Sequence, residues 1–338
     1  MKSLPRVGLL FGGPGMEHAV SCLSAKTLFE QLDRLHYEVL AIGWHKEGGF
    51  HVSDDFNSLI ENPGDPRLGA VRRHGPERLL NDLGLKALLP IVHGTAGEDG
   101  VLQGYLELLG IPYAGTGVLG SSLCMHKGVC KAVLRESGIP VTDHMIVRQE
   151  GPLPSSLPFQ GQACFVKPAS SGSSVGVTKV RLASELIPAL KLAFREGPEV
   201  LIEPAINARE LECAVLDGEA SGVGEILCHH EFYSYEAKYV DPKGADTLTQ
   251  PELPQGIEDA IRELAVKAFK ACQVRDFARV DFFLDRDTHK IYLNEINTHP
   301  GFTSISMFPQ LWEAKGVPIR QQLDRILKRT LASGEPQR

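Results

Sequence analysis

The chain has 338 residues, with 35 Lys+Arg against 42 Asp+Glu and hence a formal charge of −7. Apolar residues at 43% and charged residues at 23% exclude a disordered or fibrous chain, and the length allows about two domains of ~150 residues. The acidic balance argues against coating nucleic acid or an anionic membrane and points to a small ligand.

The seven cysteines, Cys22, Cys124, Cys130, Cys164, Cys213, Cys228 and Cys272, form no C-x-x-C pair and are odd in number. That pattern predicts buried thiols in a reducing compartment. The first apolar run, residues 7–11, is too short for a signal-peptide core, and no run approaches the ~18 residues of a membrane span, so a cytoplasmic protein is expected. Glycine is in excess, 34 residues or about 10% against the usual ~7%.

In chain order, residues 7–11 predict a strand ending in the turn Gly12-Gly-Pro-Gly15, followed by a helix to residue 32. Strands follow at 37–43 and 87–92, the latter ending at His93-Gly94. Strands alternating with helices imply parallel βαβ units, whose ligand sites lie at the carboxyl ends of the strands, where Glu17 and His93 fall. A helix is predicted over 121–137, a Pro/Ser/Gly-rich loop over 149–162, a strand at 163–167 and a Ser/Gly loop at 169–176. A helix at 183–196 and strands at 199–203, 210–216 and 222–227 precede a polar loop at 229–246. The remainder reads as a helix at 256–272, a hairpin of strands 279–284 and 291–297, and a last helix at 318–331.

Gly115-Thr-Gly-Val-Leu-Gly120 matches the dinucleotide pattern G-x-G-x-x-G, but equally suits a structural turn before a helix. The small residues Ser170-Ser-Gly-Ser-Ser-Val-Gly176 let backbone N–H groups and hydroxyls close round an anion, with the Lys167 charge at the preceding strand end; a plain surface loop is the other reading. Lys127 and Lys238 are further candidate phosphate partners. In the hairpin, Glu295 and Asn297 share a face, and Asp281 falls opposite Glu295 to within one residue of register. Two carboxylates and an amide oxygen make a hard-oxygen site suited to Mg2+, and Arg279, two residues before Asp281, adds positive charge on the same face. The turn 298–306 carries hydroxyls and backbone N–H groups that could bind an oxyanion or carboxylate.

Read together, these segments resemble the ATP-grasp enzymes, and within them the D-alanine:D-alanine ligase family. The resemblance runs through Leu10-Phe-Gly-Gly-Pro-Gly-Met-Glu-His-Ala-Val-Ser21, His93-Gly-Thr-Ala-Gly-Glu-Asp-Gly100, Met125-His-Lys127, Phe165-Val-Lys-Pro168, Gly172-Ser-Ser-Val-Gly176, Tyr235-Glu-Ala-Lys-Tyr239, Arg279-Val-Asp281 and Asn294-Glu-Ile-Asn-Thr-His-Pro-Gly-Phe-Thr303, in family order. It implies an α/β, three-domain ATP-grasp architecture with an N-terminal parallel-sheet domain, divided as 1–115, 116–203 and 204–338. It also implies a cytoplasmic enzyme of peptidoglycan synthesis, acting as a homodimer, that phosphorylates one D-alanine with ATP and joins it to a second. A D-alanyl-D-serine or other carboxylate-amine ligase is the alternative; a dinucleotide oxidoreductase and a nucleotide-binding regulator without turnover are readings from other classes.

Carried over by position, the resemblance puts Lys127, Lys167 and Lys238 on ATP phosphates under Ser173 and Ser174, with Glu203 at the adenine end and Glu210 on the ribose. Asp281, Glu295 and Asn297 would hold two Mg2+ or Mn2+, while Arg279 and the Gly301 N–H would stabilise a tetrahedral intermediate. Glu17, linked through Ser173 to Tyr239, would take the first substrate's ammonium near His93, and Ser306 with the Met307 backbone would take the second substrate's carboxylate. Departures from the common pattern are His126 before Lys127, Pro204-Ala205 after Glu203, and His299 where an apolar residue is usual.

Overall fold

The run Arg6–Gly12 (β1) is apolar at almost every position because both of its faces are covered, as a central parallel strand requires. In the computed structural model, which describes residues 3–53, 56–61, 82–229 and 244–334, β1 pairs in parallel with Glu38–Trp44 (β2) and Ala87–Pro90 (β4). Phe50–Ser53 (β3) closes that sheet antiparallel, in the order β3-β2-β1-β4. The helices His18–Gln31 (α1), Phe56–Glu61 (α2) and Val101–Leu108 (α3) accompany it. Leu9, Phe11 and Leu89 of the sheet share a core with Leu28 of α1 and with Leu323, Ile326 and Leu327 of the last helix. That core ties the two ends of the chain together, reinforced by the Tyr37 hydroxyl donating to Asp324 at 2.8 Å.

The single helix expected over 121–137 is two, Val118–Met125 (α4) and Lys127–Glu136 (α5), broken at His126 (φ −89°, ψ 93°). The departure at 126 explains the break. His126 Nδ1 accepts the Val129 N–H at 3.2 Å as an N-cap would, and its Nε2 pairs with Glu199 at 2.9 Å. Lys127 thereby starts a new helix, with its own N–H donated to the Ala169 carbonyl at 2.8 Å.

A second sheet holds Met145–Arg148 (β5), Cys164–Pro168 (β6), Thr178–Val180 (β7) and Glu199–Pro204 (β8) in the order β5-β8-β6-β7, all antiparallel. Ala183–Ala193 (α6) packs its Leu186, Ala189 and Leu190 on that sheet. The third sheet runs β11-β10-β9-β12-β13, from Ala208–Leu216 (β9), Glu219–Cys228 (β10), Ala245–Leu248 (β11), Phe277–Asp285 (β12) and Ile291–Asn297 (β13).

Strand periodicity divides the third sheet's faces. Leu211, Cys213 and Val215 of β9 with Ala278, Val280 and Phe282 of β12 pack under Ile257–Ala271 (α7). On the opposite face Ala214, Leu216 and Phe277 are buried with Met307–Ala314 (α8) and Ile319–Ser333 (α9). Farther along, the same face turns polar with Glu210, Glu212, Arg279, Asp281, Glu295 and Asn297. The strands β3, β5 and β7 and the helices α2, α3 and α8 lie where the sequence alone predicts no element. The polar loop expected at 229–246 ends in β11; its residues 230–243, with Lys238 and Tyr239, lie outside those described.

Candidate active site

The hairpin β12/β13 gathers Arg279, Asp281, Glu295 and Asn297 at one end. Its ladder pairs Asp281 with Glu295 and Arg279 with Asn297, then slips by one residue so that Phe282 faces Leu293 and Asn294 bulges out. The Arg279 guanidinium grips Asp281 through two hydrogen bonds of 2.7 and 2.8 Å and reaches Glu212 on β9 at 3.1 Å. Asn297 Nδ2 donates to the same Asp281 carboxylate at 2.9 Å, and Lys127 Nζ lies 3.4 Å from Glu295. Burial opposes the Arg279 charge, but Asp281 and Glu212 outweigh it and hold the guanidinium well above its ordinary pKa.

Two cavities meet at this corner. One, of about 540 Å3, is lined by Lys127, Lys167, Ser173, Ser174, Glu203, Glu210, Arg279, Asp281 and Glu295, between the second and third sheets. The other, of about 440 Å3, is lined by Glu17, His93, Lys127, Ser173, Arg279, Glu295, Asn297, Gly301, Ser306 and Met307. Lys127, Ser173, Arg279 and Glu295 line both and form the wall between them. The sequence-derived candidates thus come together, except Lys238 and Tyr239, which lie outside the described residues.

In the larger cavity, Glu203 sits buried between two lysines, 3.0 Å from Lys131 Nζ and in an ion pair with Lys167. Burial alone would raise its pKa, but the Lys167 and Lys131 charges bring it down to about 2. Lys167 also reaches the bulged Asn294 at 3.5 Å, so one ammonium group spans the second and third sheets. Ser173 and Ser174 both adopt left-handed backbone (φ 50° and 58°), which curls the loop over the cavity and lets the Ser173 hydroxyl donate to Glu17.

In the smaller cavity, His93 Nδ1 lies 2.8 Å from the His299 carbonyl oxygen, which only accepts, so Nδ1 carries the proton. Nε2 then accepts from Ser24 Oγ at 3.2 Å, and that oxygen accepts the Phe302 N–H at 3.3 Å. His93 is therefore a strut under the turn that carries Gly301. Burial pushes its pKa below the ordinary value. Beyond the turn, the Ser306 hydroxyl meets the Thr303 N–H at 3.0 Å and the Thr303 hydroxyl at 2.8 Å, and Met307 opens α8.

Three members of the site escape the sequence reading. Glu98 accepts the N–H groups of Gly94 and His299, each at 2.8 Å, and burial followed by the nearby Glu17 charge raises its pKa to about 8. Glu212 lines both cavities; it lies in the segment 209–214 that resembles the family and alternates with Glu210 along one strand face, but neither signal assigns it a role. Lys131 has no sequence signal at all, being one lysine on an amphipathic helix.

Gly115–Gly120 is a packing turn. The Gly115 N–H (φ 101°) donates to Asp276 at 2.8 Å, and a Cβ on Gly120 would come within 2.7 Å of the Gln273 carbonyl oxygen. Neither glycine lines the two cavities.

Family models described as the N-terminus and the C-terminus of D-ala D-ala ligase match residues 6–116 and 133–328. The chain belongs to the D-alanine–D-alanine ligase family. A D-alanine–D-alanine ligase from Thermoanaerobacter sp. is 41% identical over 97% of both chains. Among solved structures, D-alanyl-alanine synthetase A from Vibrio cholerae is 32% identical with a TM-score of 0.83, over 98% of this chain and 100% of that one. A Bacillus anthracis D-alanine–D-alanine ligase complexed with ATP is 27% identical with a TM-score of 0.77, over 98% of each chain. As in its ligase relatives, the chain is a mixed α/β fold, and among its described residues no helix is long and apolar enough to cross a membrane.

Proposed function

We propose that the protein joins two D-alanine molecules into D-alanyl-D-alanine at the expense of ATP, for peptidoglycan synthesis. The observation that carries this reading is the shared wall of the two cavities: a larger chamber lined by lysines, serines and carboxylates and a smaller one lined by Glu17, His93 and Ser306 meet at Lys127, Arg279 and Glu295. A carboxylate lying at that wall is within reach of a γ-phosphoryl group on one side and of an amine on the other.

In this reading Lys127, Lys167 and Lys238 bind the ATP phosphates, the loop with Ser173 and Ser174 covers them, and Glu203 and Glu210 lie toward adenine and ribose. Asp281, Glu295 and Asn297 supply hard oxygens converging at the end of one hairpin, a donor set that fits two Mg2+. Bound there, the ions would neutralise the triphosphate oxygens.

Glu17 takes the ammonium of the first D-alanine beside His93, which leaves the substrate carboxylate pointing at the wall. Its oxygen attacks the γ-phosphorus, ADP leaves, and an acyl phosphate forms. The amine of the second D-alanine, whose carboxylate lies on Ser306 and the Met307 backbone, then attacks the acyl carbon. Arg279 and the Gly301 N–H stabilise the tetrahedral oxyanion, and phosphate departs with the bridging oxygen. Tyr239 completes the lid with Glu17 and Ser173. A homodimer, a cytoplasmic location and a division of the chain near 115 and 203 belong to the same reading.

The acyl phosphate has a direct test. With D-alanine labelled by 18O in its carboxylate, each turnover transfers one label into inorganic phosphate, and phosphate free of label would refute the route.

A further inference from the structure

Behind the wall of the smaller cavity, three cysteines from three helices converge: Cys124 in the last turn of α4, Cys130 in α5 and Cys272 at the C-cap of α7. Their Sγ atoms all lie within 4.8 Å of one another, and Cys130 and Cys272 are 3.9 Å apart. All three are buried in the core that α7 forms with the third sheet. Zinc–sulfur bonds of about 2.3 Å in tetrahedral geometry set sulfurs about 3.8 Å apart, so the three need move little to share an ion.

We propose that Cys124, Cys130 and Cys272 form a binding site for a soft divalent metal ion of the zinc class, separate from the hard-oxygen corner at Asp281 and Glu295. Thiolates select such ions, whereas Mg2+ takes oxygen. Cys124 also lines the 440 Å3 cavity, which gives the ion an entry route and a water as fourth ligand. On binding, three metal–sulfur bonds form and three thiol protons leave to solvent, so the occupied site carries one net negative charge. The neighbourhood suits that charge. The positive charges of Lys131 and Lys127 act directly on Cys130. Since Cys124 and Cys130 flank Lys127 on either side of the α4/α5 break, an ion here also pins the corner that carries that lysine.

The test is a titration of the reduced, metal-free, full-length protein with Co2+. A thiolate-to-cobalt charge-transfer band should saturate at one ion per chain with the intensity of three thiolates, be abolished by Zn2+ and persist in excess Mg2+. Cys130→Ser and Cys272→Ser should each weaken the site by more than about a hundredfold, beyond the range for groups that merely orient a ligand. Cys228→Ser, at the end of β10, should leave it unchanged. Absence of the band in the unsubstituted protein, or a band that survives both substitutions, would overturn the proposal. The unsubstituted titration decides the matter even if a variant fails to fold.

Discussion

Replacing Glu203 by Gln keeps the side chain's shape and removes the charge between Lys131 and Lys167. The structure sets the size of the effect. The carboxyl is brought down from 4.5 to about 2, which at 1.36 kcal/mol per unit corresponds to about 3 kcal/mol. Uncompensated burial gives a similar figure: the Lys131 side chain is 1% exposed, and removing one partner of a buried ion pair costs about 3–5 kcal/mol. The sign follows from linkage. A depressed carboxyl pKa contributes stability that is present above the unfolded value of 4.5 and is lost as pH falls through about 2. Urea unfolding of the two proteins should therefore differ by about 3 kcal/mol at neutral pH, and the gap should close as pH is lowered below 4.5. A variant as stable as the parent at neutral pH, or a gap that ignores pH, would refute the reasoning.

Ser173→Ala removes the hydroxyl donated to Glu17; a hydrogen bond to a charged group contributes about 1.5–3 kcal/mol, so kcat/KM for D-alanine should fall about 10- to 150-fold in steady-state assays, with unchanged kcat/KM as the contrary result. Gly115→Ala puts a Cβ within 2.9 Å of the His299 ring at φ 101°; unfolding should show a loss of about 1–3 kcal/mol. Because that turn packs rather than binds, neither the parent nor this variant should retain a nicotinamide nucleotide in equilibrium dialysis.

Much of the site is legible in the sequence because strand alternation is a strong rule. Glu295 and Asn297 share a face by spacing alone, and Asp281 reaches Glu295 once the hairpin is counted. What counting leaves undecided is the register, and the bulge at Asn294 is what fixes it. The α4/α5 break was hidden because residues 121–137 read as one unbroken helical stretch, and only the contacts of His126 with Val129 and Glu199 mark the break. Lys131 and Glu98 owe their importance to partners 72 and 201 residues away, Glu203 and the His299 N–H, which no local pattern encodes. The dinucleotide-like Gly115–Gly120 fails in the opposite direction: its glycines answer to close packing against residues 272–276.

In the proposed reaction the two cavities hold ATP and D-alanine across one wall. Phosphate release from Mg-ATP should depend on D-alanine, yield one D-alanyl-D-alanine per phosphate, and stay at background with L-alanine. Release that ignores D-alanine, or the absence of dipeptide when phosphate is formed, would contradict it.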